Sequence, residues 1–107
     1  MSSFPPLELA QQASPKVIEM IAQVLMVPAA RVTPDISLVD AFGAESIDFI
    51  DLLFHLEDDL GLEIPVEMWR RFVAEHVAPS AVASALTPRF VQTFADWRCA
   101  QATTSAR

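Results

Sequence analysis

Apolar side chains recur at spacings of three and four along most of the chain, a helical rhythm rather than the alternation of a strand. Val17, Ile18, Ile21, Ala22 and Leu25 form the first run, behind Ser14-Pro15, a capping residue followed by proline at the first helical position. This predicts a first helix that ends near Pro28. Phe49, Ile50, Leu53, Leu56 and Leu60 form a second run from Ser46 to Leu60. Asp48, Asp51, His55, Asp58 and Asp59 lie on another side, and Gly61 supplies the stop. Ile47 and Phe54 fall at the edge of the apolar face, where each is either exposed or plain core. Val66, Trp69, Phe72 and Val73 predict a third, shorter helix. Thr87-Pro88 repeats the cap-then-proline signal before Phe90, Val91, Phe94, Ala95 and Trp97.

Two segments lack this rhythm. "PAARVTPDISLVDAFGAE" is dotted with proline but carries Val32, Ile36, Leu38, Val39 and Phe42, and reads as a long loop pinned to the core. Unstructured loops of that length are uncommon in small domains, so a functional role is the better expectation. Pro79 to Leu86 is rich in Ala and Ser and reads as a loop or a weak helical turn. The expected architecture is an all-α bundle of four helices, with a long loop between helices one and two and an extended segment before the last. Residues 1–14 read as an N-terminal extension, 15–101 as the domain and 102–107 as a polar tail.

Composition supports one compact domain: 107 residues, 52% of them hydrophobic, bury roughly two thirds of the surface that the unfolded chain exposes. The single cysteine, Cys99, builds no internal disulfide and suits a reducing compartment. The opening "MSSFPPLELAQQASPK" has neither a basic nor an apolar signal region, and no run of eighteen apolar residues occurs. A cytoplasmic protein without stable membrane insertion is expected.

Charge changes the picture more. The net charge of -7 disfavours nucleic acid and anionic membranes as partners. From Asp35 to Glu67 there are ten acids and no Lys or Arg, whereas the rest of the chain carries four acids and seven bases. Such segregation points to a basic partner surface, and to a monomer, because a face of one sign opposes self-association.

Catalytic and metal chemistries fit poorly. Gly43-Ala44-Glu45-Ser46-Ile47 is not a nucleophile elbow, and neither His55 nor His76 has an evident partnership with Ser46. A calcium loop starting at Leu56 would place Leu56 and Leu60 at ligand positions. His55, His76 and Cys99 give no zinc spacing, and two glycines make no phosphate loop. Ser46 itself has two readings. Serine is a preferred helix cap, and a helix N-terminus also suits a phosphate group attached there.

"GAESIDFIDLLFHLEDDLGLEIP" resembles the acyl carrier proteins, whose signature is Gly-x-Asp-Ser-Leu, an acidic amphipathic helix and a turn ending in Ile-Pro. The preceding "IAQVLMVPAARVTPDISLVDAFGA" is similar to the family's first helix and long loop, so the resemblance runs from about Pro15 to Trp69. It implies that the bundle is of acyl-carrier-protein type. It also implies that Ser46 carries covalent 4'-phosphopantetheine, installed from coenzyme A by a phosphopantetheinyl transferase, and that acyl groups ride on the arm as thioesters. The protein would then be a carrier, not an enzyme, serving acyl-transferring or condensing enzymes with basic docking patches. By position, Glu45, Ile47, Asp48, Asp51, Phe54, Glu57 and Asp58 would meet partners, and Phe49, Ile50, Leu53 and Leu56 would line an acyl chain. Glu45 and Ile47 stand where the family usually has Asp and Leu. The longer segment after the Ile-Pro turn, with "SIDFIDLLF" and "IPVEMW", resembles the specialised carriers of very-long-chain acyl groups for lipid A. A carrier of polyketide or aminoacyl cargo and an unmodified acidic adaptor are the alternatives.

Overall fold

The computed structural model describes residue 10 and residues 12–105. Helix α1 spans Pro15–Leu25, its first turn closed by the Ser14 hydroxyl, which accepts the Val17 N–H at 3.2 Å. The helix stops because Met26 turns left-handed (φ 58°) and returns its N–H to the Ala22 and Gln23 carbonyls. Helices α3 (Ser46–Leu60), α4 (Val66–His76) and α6 (Pro88–Ser105) complete the four long elements that the periodicity predicts. Among the described residues there is no strand.

The two segments without rhythm contain more helix than expected. A 3₁₀ turn at Ala29–Arg31 leads to α2, Leu38–Phe42, which the Ser37 hydroxyl caps by accepting the Asp40 N–H at 3.0 Å and left-handed Gly43 (φ 68°) ends. Between α4 and α6, a second 3₁₀ turn at Pro79–Ala81 runs into α5, Val82–Ala85. Five- and four-residue helices are too short to show a 3.6-residue period, so pattern alone reads them as loop. They hold each other in place: Leu38 N–H donates to the Leu86 carbonyl at 3.0 Å, the Ser37 hydroxyl to the Ala83 carbonyl at 2.7 Å, and Arg89 N–H to the Pro34 carbonyl at 3.0 Å.

At the C-terminal end, the residues read as a polar tail continue α6 as far as Ser105. Most of the N-terminal extension lies outside the described residues. Where described, it docks on α6: Ala10 N–H donates to Thr93 Oγ1 and Ser14 N–H to Gln92 Oε1, each at 2.8 Å.

The core lies where α1, α3, α4 and α6 converge, with Ile21, Leu56, Phe72, Val91 and Phe94 fully buried. Lys16 at the start of α1 pairs with Asp59 near the end of α3, so the two helices run antiparallel. Trp69 of α4 stacks on Phe49 of α3 (centroids 5.8 Å apart) and meets Phe94 of α6 edge-on at 5.0 Å. Such pairs add about 0.5–1.5 kcal/mol each beyond their buried area. This aromatic joint fixes α4 against the N-terminal half of α3, beside Ser46.

Candidate functional site around Ser46

Ser46 is the first residue of α3, not its cap. The cap is Glu45, in extended conformation. Its carbonyl accepts the N–H groups of Asp48 and Phe49 at 2.9 and 3.3 Å, and its own N–H donates to Asp48 Oδ2 at 2.8 Å. These bonds close the first turn without the serine, whose exposed hydroxyl makes no hydrogen bond among the described residues. The capping reading of Ser46 is thus corrected, and its oxygen is left available for chemistry.

Beside it opens a cavity of about 620 Å³, within the roughly 300–1,000 Å³ typical of ligand sites. Phe49 and Ile50 of α3, Val66, Trp69 and Val73 of α4, and Val82 of α5 supply apolar wall, with Val39 of α2 and Leu86. Ser46, Glu45 and Arg70 are its polar members. Of the four residues expected along an acyl chain, Phe49 and Ile50 line this space, whereas Leu53 and Leu56 are buried in the core and do not. Leu52, absent from the expected apolar face, is buried as well.

The acids divide into two groups. Asp59 pairs with Lys16 at 2.8 Å, Asp35 with Arg89 at 2.7 Å and Glu67 with Arg70 at 3.3 Å. The Lys16 ammonium is held above its ordinary 10.5 first by the hydrogen bond it donates to Asp59 and second by that carboxylate's charge. Glu57 accepts the Ile64 N–H at 2.7 Å, pinning the turn after α3, and Asp48 serves the cap. Asp51 and Asp58 are exposed and have no ion-pair partner among the described residues. They share a helical stripe with Ile47 and Phe54, since residues 47, 51, 54 and 58 step by four, three and four. Ile47 and Phe54 are 58% and 60% exposed, so both edge residues face solvent.

Some members of the site escaped the sequence reading. The α4 and α5 walls were visible only as helix periodicity or as weak Ala- and Ser-rich sequence. Away from the site, at the end of α1, Met26 is left-handed and 89% exposed, and nothing in the sequence pattern signalled it.

A chain with a free serine hydroxyl at the head of an acidic helix, next to an apolar cavity, has the parts needed to hold and shelter a prosthetic arm. The family model for the phosphopantetheine attachment site matches residues 15–69, and the chain belongs to this family, that of the acyl carrier proteins. Its cofactor is accordingly 4'-phosphopantetheine, and members of the family are carriers rather than catalysts. Among curated relatives, the acyl carrier protein AcpXL of Rhizobium etli is 35% identical over 60 residues, covering 56% of this chain and 65% of the relative. AcpXL of Brucella melitensis is 32% identical over 65 residues (61% and 70%), and the acyl carrier protein of Helicobacter pylori 43% over 54 (50% and 69%). The match to the Rhizobium protein thus falls just short of two thirds of its length. No helix among the described residues is long and apolar enough to cross a membrane.

Proposed function

We propose that Ser46 bears the 4'-phosphopantetheine arm and that the protein carries acyl groups as thioesters on it, presenting them to enzymes of fatty-acid or lipid synthesis without catalysing their chemistry. The observation that carries this reading is the free, exposed Ser46 hydroxyl at the edge of the apolar cavity, inside the matched family segment. When bound, the arm supplies a thiol on a tether. The residues of this chain do the rest: α3 holds the attachment oxygen outward, the cavity wall removes apolar cargo from water, and the stripe of Ile47, Asp51, Phe54 and Asp58 offers a docking face.

The partners this face suits have basic surfaces with an apolar centre: a phosphopantetheinyl transferase and acyl-transferring or condensing enzymes. Like charge along the stripe steers encounter and keeps complexes short-lived and salt-sensitive. Glu45 contributes charge at the attachment point, while Asp48 and Glu57 support the docking helix from within. The cargo we favour is a long acyl chain, because more than half of the residues lining the cavity come from α4 and the extended segment through Leu86.

The test is intact mass after co-expression with a broad-specificity phosphopantetheinyl transferase. One phosphopantetheinyl addition is expected in the wild type and none in Ser46→Ala. A wild type left unmodified by several transferases would favour the acidic-adaptor alternative.

A further inference from the structure

We infer that Arg70 binds the phosphodiester that would join the arm to Ser46, and so lays the arm across the mouth of the cavity. This inference rests on Ser46 being the attachment point. Among the described residues, Arg70 is the one basic side chain that lines the cavity which Ser46 also lines. Attachment would add a permanent anion next to Glu45 and Asp48, in a stretch with no Lys or Arg from Asp35 to Glu67. That placement is electrostatically poor unless a cation comes to it.

The other described bases are committed elsewhere or face away. Lys16 pairs with Asp59 at the far end of α3, Arg89 with Asp35, and Arg98 Nε donates to the Glu63 carbonyl at 2.8 Å. Arg31 lies over the Phe42 ring, 5.4 Å from its centroid. Arg71 is exposed and lines no part of the cavity.

Arg70 is free to move. Its partner Glu67 lies one turn back at 3.3 Å, and the two side chains are 64% and 78% exposed. An exposed pair of this kind is weak, whereas a guanidinium fork matches two phosphate oxygens at once. Exchanging Glu67 for the phosphodiester replaces a poor contact with a better one. Because the wall beyond Arg70 is Val66, Trp69 and Val73, a chain held at this point continues onto apolar surface.

The test is ³¹P and ¹⁵N NMR on protein whose modification has first been verified by intact mass. Arg70→Gln should move the phosphodiester resonance, Arg71→Gln should leave it in place, and Arg70→Lys should restore it only in part. In the wild type, the Arg70 Nε–H signal should shift on modification, and the shift should shrink as salt is raised. An Arg70 signal indifferent to modification overturns the inference, as does an equal response of the phosphorus to Arg70→Gln and Arg71→Gln. A wild type that gains no mass overturns the attachment reading itself, which keeps the two failures apart.

Discussion

Asp48 Oδ2 accepts the backbone N–H of Glu45 at 2.8 Å, so the third residue of α3 reaches back over Ser46 to secure the residue before it. The serine is bracketed by this bond without taking part in it. Asp48→Ala should therefore cost about 0.5–2 kcal/mol, as loss of a helix cap does, and Asp48→Asn, which keeps an acceptor, should cost less. Ser46→Ala should leave the melting temperature nearly unchanged. Thermal unfolding of the three unmodified variants checks this, and a marked loss in Ser46→Ala would mean that the serine caps after all.

How much of this could be read from sequence depended on segment length. Helices α1, α3, α4 and α6 were legible because eleven or more residues give the 3.6 period room to repeat, and Ser14 and Thr87 mark two of their starts. The same period placed Ile47 and Phe54 at the edge of the apolar face but left open whether they were exposed or core, which the folded chain decides in favour of exposure. Helices α2 and α5 were not legible, since their stability comes from tertiary bonds such as Leu38 N–H to the Leu86 carbonyl, between residues 48 apart in sequence. The cavity was hidden for the same reason: Val39, Val73 and Val82 become one wall only once those short helices are docked. Charge segregation located the acidic surface but could not separate Glu57, turned to the Ile64 amide, from its exposed neighbour Asp58.

That separation is measurable. Glu57→Ala strips the Ile64 N–H of its acceptor in a part-buried turn and should destabilise the fold by about 1–3 kcal/mol. Asp58→Ala removes an exposed side chain and should change stability by less than about 0.5 kcal/mol. Transferase binding should show the contrast in another form: Asp58→Ala weakens it at low salt, with the difference from wild type fading as salt screens the surface. Equal melting temperatures for the two variants would refute the division of the acids.

The Lys16–Asp59 pair has a defined pH signature. Because the lysine is raised above 10.5 in the folded chain, whatever stability the pair contributes is present below the unfolded value and is lost as pH rises through the folded one. The stability gap between wild type and Lys16→Met should thus be constant from pH 6 to 9, in the neutral range well below lysine titration, and close in strong alkali. Urea unfolding across that range tests it, and a gap that changes near neutral pH would point to another group.

Met26 holds a left-handed conformation that costs a side-chain-bearing residue about 1–2 kcal/mol, yet its side chain is 89% exposed and gains little packing in return. Met26→Gly should relieve part of that strain against the entropy of glycine and raise stability by roughly 0.5–1 kcal/mol. The shift is readable by calorimetry as a few degrees in Tm. A variant that melts lower would mean that Met26 makes packing contacts in solution.

The cavity makes the most demanding prediction, because it concerns the loaded protein. If the wall formed by Ile50, Trp69, Val73 and Val82 takes up an acyl chain, loading a long chain should raise Tm more than loading a short one. Each methylene sheltered is worth about 0.8 kcal/mol. Val73→Trp projects bulk into the cavity from a half-buried position on α4, so the unloaded variant should melt close to wild type. The increment from a long chain should fall by an amount matching the few methylenes displaced, while the short-chain increment is retained. Were the long chain to stabilise Val73→Trp as much as wild type, the cargo would have to lie elsewhere, either in the core between α1 and α3 or along the outside of the bundle.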